Sequence, residues 1–350
     1  MRVVETQPFM KLFSNLWASV AMLSMLALAT SCETITGLWE QPTTPAEPEY
    51  VTVSLGLDVE LDYEYEPLTR AEENNDLYGI QVYSTLAPAT ESSSWTKFAY
   101  GLFDTTNNLT INLIRGYEYK FVATMVKDGK NKITDGNSFY GPFNHSAVAG
   151  ESVNTPITDG FTYDHEGFDA LANGNTYLKN PHAIYSHPNV ERYYGELVGY
   201  MPGENDSKAT IELKRTSFGA KYIAKGNFAA NGALEILMDH APQLNLNLAE
   251  GNEVSEIYTF SNVRAAWLDE NYTETISVTL RLAYADGTTE PLGTHSITFK
   301  RNTTTVVNVD LSVNGENGVG IEVTESGEMP EGTEITIRDG EIVDTNVEAN

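Results

Sequence analysis

The chain has 350 residues, of which 41% are hydrophobic and 10% aromatic, a composition that supports a packed core and excludes an intrinsically disordered protein. Its 49 Asp and Glu against 21 Lys and Arg give a formal charge of −28 at pH 7, so it repels nucleic acid and anionic headgroups. One cysteine excludes an intramolecular disulfide framework and a Cys-based zinc site.

Near the start, Lys11 precedes an uncharged, mostly apolar stretch from Leu16 to Ala29, and Ala29, Thr30 and Ser31 then lead to Cys32. This is the layout of a secretory signal, and the apolar run is short of the roughly 20 residues a membrane span needs. Met10-Lys11 begins a more conventional signal than Met1, and either can be the start. No basic neighbour activates Cys32 as a catalytic thiol. A cysteine at the cleavage point resembles the lipobox of bacterial lipoproteins, which implies Cys32 as the first residue, acylated with chains such as palmitate. The alternative is a secreted protein with an incidental cysteine. Residues 1–31 carry a net charge of +1, so the remainder carries −29.

Residues 33–49, ETITGLWEQPTTPAEPE, lack periodicity and read as an extended tether. The next stretch, VTVSLGLDVELDYEY, alternates without a break. Val51, Val53, Leu55, Leu57, Val59, Leu61, Tyr63 and Tyr65 are apolar, with polar residues or Gly between them. Period two over 15 residues predicts a strand burying one face, either continuous or bent into two at Gly56. LYGIQVYS (77–84), NLTINLI (108–114) and YEYKFVATMV (117–126) continue the strand signals, and Asp128-Gly129 predicts a hairpin turn.

From 135 to 190 the chain turns irregular, and GYMPGENDS (199–207) reads as a linker. ATIELKRTSFGAKYIAKG (209–226) then opens a second run of strands. ETISVTLRLAYADG (274–287) ends in an Asp286-Gly287 turn, and HSITFKRNTTTVVNVDLSV (295–313) predicts a hairpin around Arg301-Asn302. NVRAAWLDE (262–270) suits one or two helical turns, and the acidic tail still holds strand-like GIEV and TEITI. Many short strands with regular turn signals predict an all-β fold of two tandem β-sandwich domains with few short helices. The expected organisation is a signal over 1–31, a lipid-anchored linker over 32–49 and an N-terminal sandwich over 50–200. A C-terminal sandwich over 201–313 and an extension over 314–350 complete it.

Chemistry is harder to find. None of the six histidines forms an HExxH pair, and His182 and His187 lie five apart on a Pro-flanked loop. Asp164, His165 and Glu166 are adjacent, which on a strand would send them to opposite faces. There is no nucleophile elbow, P-loop or dinucleotide fingerprint, so no catalytic residue, metal ligand set or cofactor is assigned. Arg70 stands out instead, as the only basic residue between Lys11 and Lys97. It sits in EPLTRAEENN, just past the alternating strand, in the kind of polar loop where proteases cut. An ordinary loop arginine is the competing reading.

In this order, the lipobox, tether, alternating strand, LTRAE, IELKRTSFGAKYIA and ITFKRNTTTVVNVDLSV resemble the fimbrillin family, lipoprotein precursors of bacterial pili. The resemblance covers most of the chain after Cys32 and implies Greek-key (transthyretin-like) topology for both β-sandwich domains, in a non-enzymatic subunit of a fimbria at the outer membrane and cell surface. It further implies cleavage between Arg70 and Ala71 by a trypsin-like maturation protease. The strand Val51 to Tyr65 would depart, and a terminal β segment of another subunit would fill the vacancy. The candidate donor lies in the tail, with Ile321, Val323, Ile335 and Ile337. Implied partners are other copies or other fimbrial subunits, the membrane through its lipid, and a host protein or glycan. The alternative is a surface glycan-binding lipoprotein using aromatics such as Trp95, Tyr163 and Tyr185.

Overall fold

The computed structural model describes residues 47–59, 75–135, 138–139, 141–148, 151–203, 207–226, 232–311, 320–325, 335–338 and 341–344. Cys32, Leu61, Tyr63, Tyr65, Arg70 and Ala71 lie outside the described residues, as does the signal. The protein is all-β, with two short helices among the described residues. The first strands are β1 (Tyr50–Val59), β2 (Leu77–Leu86), β3 (Thr96–Phe103), β4 (Thr110–Ile114) and β5 (Tyr117–Val126). After α1 (Gly129–Lys132) come six short pieces: β6 (Thr134–Asp135), β7 (Ser138–Phe139), β8 (His145–Val148), β9 (Glu151–Val153), β10 (Thr176–Leu178) and β11 (Ala183–Tyr185). Long strands resume with β12 (Arg192–Tyr200) and β13 (Lys208–Arg215).

The second half holds β14 (Ser217–Lys225), β15 (Gly232–Met238), β16 (Leu244–Asn247), β17 (Glu253–Thr259), α2 (Val263–Leu268), β18 (Thr273–Tyr284), β19 (Thr289–Lys300) and β20 (Thr304–Asp310). The tail adds β21 (Gly320–Glu325), β22 (Ile335–Arg338) and β23 (Glu341–Asp344). No helix among the described residues is long and apolar enough to cross a membrane.

The two halves repeat one strand arrangement. In the first, β3-β2-β5-β12 is one layer and β4-β1-β13 the other. The layers touch where Tyr193 and Tyr194 of β12 pair with Arg215 and Lys214 of β13. In the second, β16-β15-β18-β19 faces β17-β14-β20, and β21, β22 and β23 extend the latter beyond β20. The opening strand of each half lies parallel to the closing one, β1 beside β13 and β14 beside β20. In each it also pairs antiparallel with the fourth, β1 with β4 and β14 with β17.

Side chains from both layers fill the space between them. Val53, Ile80, Phe121, Ile111 and Ile211 belong to the first core, and Phe218, Tyr222, Ile236, Val278, Phe299 and Val307 to the second. A third cluster, including Tyr100, Ile133, Phe143, Phe168 and Tyr194, covers the outer face of the first half. It is roofed by the irregular segment after α1 and by α2. Asn262 caps that helix, its Oδ1 accepting from the Ala265 N–H at 3.0 Å.

Three expectations change. ATIELKR does not open the second half, which begins instead at Ser217 of β14: β13 lies beside β1, with Ala209, Ile211 and Leu213 buried in the first core. Its alternation records a buried face without saying which core receives it. At Asp128-Gly129 the left-handed φ of 54° is present, but α1 follows instead of a hairpin. Burial of Ile133 in the third cluster draws the chain out of the sheet there. Arg301-Asn302 is a crossing between layers, not a hairpin. Asn302 takes φ 58° and donates its N–H to Ser217 O, while Phe299 and Val307 meet the same core from opposite sheets. The Asp286-Gly287 turn does join a hairpin, with Ala283 opposite Thr289.

Candidate functional site: the seat of the first strand

β1 is an inner strand. Residues 54–59 run parallel to 208–213 of β13, and residues 50–54 run antiparallel to 110–114 of β4. The Ser54 N–H donates to Ser207 O at 2.7 Å, whereas the Leu55 N–H donates to Leu109 O at 2.9 Å. Successive amides thus point to opposite neighbours, as in any strand paired on both sides. Thr52 Oγ1 donates to Asn112 Oδ1 at 2.8 Å, and Arg115 pairs with Glu49 at 3.0 Å where the strand begins.

The alternation read from sequence maps onto burial over the described part. Val53 is closed to solvent and Leu55 is 5% exposed, while Val51, Leu57 and Val59 are partly buried against the same core. Thr52, Ser54 and Asp58 are exposed. The seat consists of Ile111 and Leu113 of β4, Ala209, Ile211 and Leu213 of β13, and Tyr119 and Phe121 from the opposing layer. Sequence reasoning did not assign these walls, although Ile111/Leu113 and Ala209/Ile211/Leu213 show the same period-two signal.

At the far end of the chain, Val309 lies opposite Ile321 and Val307 opposite Val323. Ile321 in turn lies opposite Ile337, and Val323 opposite Ile335. The four residues expected in a donor segment therefore continue, strand by strand, the register of two core residues of β20. They are far in sequence from the seat and do not join it.

Polar clusters also lie away from the seat of β1. His187 lies between Glu274 Oε1, 3.1 Å from its Nε2, and Asp239 O, 3.0 Å from its Nδ1. Ser261 Oγ donates to Glu274 at 2.5 Å, so the same carboxylate is held by a hydroxyl as well as by the imidazole. Burial pushes the Glu274 carboxyl up, but the hydrogen bonds from His187 and Ser261 outweigh it and hold it below the usual range. Arg192 is fully buried and donates to Asn173 O at 2.6 Å and Leu171 O at 2.9 Å. Burial lowers its pKa to about 9, still above neutrality, so a cation sits there on main-chain acceptors. Among the described residues no group of three or more His, Cys, Asp or Glu could hold a metal ion. The aromatics considered for sugar stacking are dispersed. Trp95 lies under Lys120 Nζ at 5.8 Å, Tyr185 packs against the third cluster, and the Tyr163 hydroxyl accepts from Asn112.

No protein-family model matches the chain, and no curated protein does. Solved structures do. One is a protein from Bacteroides thetaiotaomicron described as an adhesin, 15% identical, with 84% of this chain and 99% of that one covered at a TM-score of 0.35. A cell adhesion protein, so described, from Bacteroides eggerthii is 11% identical over 81% and 96% of the two chains, with a TM-score of 0.37. A fimbrial assembly protein from Parabacteroides distasonis is 12% identical over 81% and 98%, with a TM-score of 0.32.

Proposed function

We propose that the chain is a structural or adhesive subunit of a bacterial cell-surface fimbria. It is exported by its signal, acylated at Cys32 and held at the outer membrane. A trypsin-like protease then cuts between Arg70 and Ala71, and subunits polymerise by exchange of the first strand. One observation carries this reading: β1 is a strand between β4 and β13, with Val53 and Leu55 in the core, and it lies on the amino-terminal side of Arg70. Severing that connection turns an intramolecular fit into a replaceable one, because the high effective concentration of a tethered strand is lost. The vacancy would present unpaired amides and carbonyls on both walls, which is what strand addition requires. In this reading the tail that includes Ile321, Val323, Ile335 and Ile337 supplies the donor.

The test is limiting trypsin on the chain from residue 33 onward, followed by a native gel and the mass of the released fragment. An early cut at Arg70 and a ladder of multimers are expected, and Arg70→Ala removes both. Multimers formed by the Arg70→Ala protein overturn the cleavage step.

A further inference from the structure

The outer edges of the first sandwich end in β3 and β4, and a strand edge is a template for pairing with another chain. One segment attends to both. Along β3, the Tyr100 N–H donates to Thr162 O at 3.0 Å, the Thr162 N–H returns to Tyr100 O at 2.8 Å, and the Thr158 N–H donates to Leu102 O at 2.9 Å. The next residue, Tyr163, then turns to β4.

The direction of the β4 amides decides what Tyr163 does. Leu109 O and the Arg115 N–H bond to β1, so odd-numbered residues face β1 and Thr110, Asn112 and Ile114 face outward. Two of these outward amides meet tyrosine hydroxyls. The Asn112 N–H donates to Tyr163 Oη at 2.8 Å, and the Ile114 N–H donates to Tyr119 Oη at 2.7 Å. The Tyr119 hydroxyl also donates back to Ile114 O at 3.1 Å, satisfying both outward groups of that residue. Phe98 stands between the two tyrosines, edge-to-face with Tyr119 at 5.3 Å and with Tyr163 at 5.6 Å, so the rings brace one another.

We infer that residues 158–163, with Tyr119, seal the outer edges of β3 and β4 against a second copy of this chain. Among the described residues, the outward amides of Asn112 and Ile114 are thereby already engaged and not offered to a pairing strand. Tyr163 is 47% exposed, which burial alone would not explain. Its ring is anchored by Phe98 and its hydroxyl is spent on a main-chain donor. The inference stands whether or not β1 is ever removed, because the edge is sealed while β1 is in place.

The test uses the uncut chain. Tyr163→Phe keeps the ring against Phe98 and removes only the acceptor from Asn112. Amide exchange at Asn112 is expected to accelerate roughly tenfold, the scale of one lost hydrogen bond. Sedimentation should show a monomer becoming a concentration-dependent dimer. Adding Asn112→Pro, which deletes the outward N–H and leaves the ladder to β1 intact, should restore the monomer. Tyr163→Phe protein that stays monomeric at every concentration, or exchanges Asn112 at the original rate, overturns the inference. So does a dimer that persists in the double variant. None of these outcomes depends on cleavage at Arg70.

Discussion

Val53 of β1 and Ile111 of β4 lie opposite each other in an antiparallel ladder, and neither exposes more than 1% of its surface. The first strand is thus part of the core it closes. Val53→Ala is expected to lower the stability of the first half by about 1–3 kcal/mol, from lost burial and a residual cavity. Denaturant melts followed by near-ultraviolet signals report this, and after a cut at Arg70 the fragment carrying β1 should leave faster. Thr52→Ala, on the exposed face of the same strand, should change the melt far less.

Gly195 of β12 marks where the two layers of the first half converge. A side chain there would place its Cβ 2.1 Å from Glu212 O, a main-chain atom that cannot move alone. Gly195→Ala should cost about 1–3 kcal/mol, since β12 and β13 must separate. Gly251→Ala, with nothing within 4 Å of the new carbon, serves as the control and should stay within about 0.5 kcal/mol of the parent.

Arg192 joins Leu171 and Asn173 of the roof to β12 through a planar fork of donors. Lysine keeps the charge but cannot address separated carbonyls from one plane. Arg192→Lys is therefore expected to destabilise by about 2–3 kcal/mol, the scale of a lost charge-assisted hydrogen bond. Hydrogen exchange should rise first in residues 171–175, before the sheets themselves open.

Glu274 gives the seam between the halves an acid dependence. Its folded pKa lies below the ordinary 4.5, so its contribution is fully present above that value and is lost as pH falls through the lower folded one. Thermal melts of the parent should fall off below about pH 4.5, the unfolded value of this carboxylate. Glu274→Gln should melt lower at neutral pH and show a shallower decline in acid. Parallel curves for the two proteins would exclude Glu274 as the source.

Much of the strand content was legible because alternation reports a half-buried face directly. Val51 to Val59, Ile111 with Leu113, and Ile276 to Tyr284 each carry that signal, and each lies in a strand. The roof over the third cluster was not legible. Its residues are held by scattered contacts such as Phe168 N to Gln81 Oε1 at 2.9 Å, 87 positions apart in the chain, with no period to read.

Period-two patterning, set by the geometry of an extended backbone, is local, and so the sequence by itself determined that β1 buries one face and that the protein is built of sheets. It also supplied the lone Arg70 and the acidic charge, which depend on composition and position alone. The partners of each strand were left to the tertiary structure, because the same alternation fits either core and either layer. Only there did β13 go to the first half, the chain cross layers at Arg301-Asn302, and β1 lie between two neighbours. The sealed edge of β4 belongs to the same class: hydroxyls from Tyr119 and Tyr163 reach Ile114 and Asn112 only after two layers and a loop have packed together.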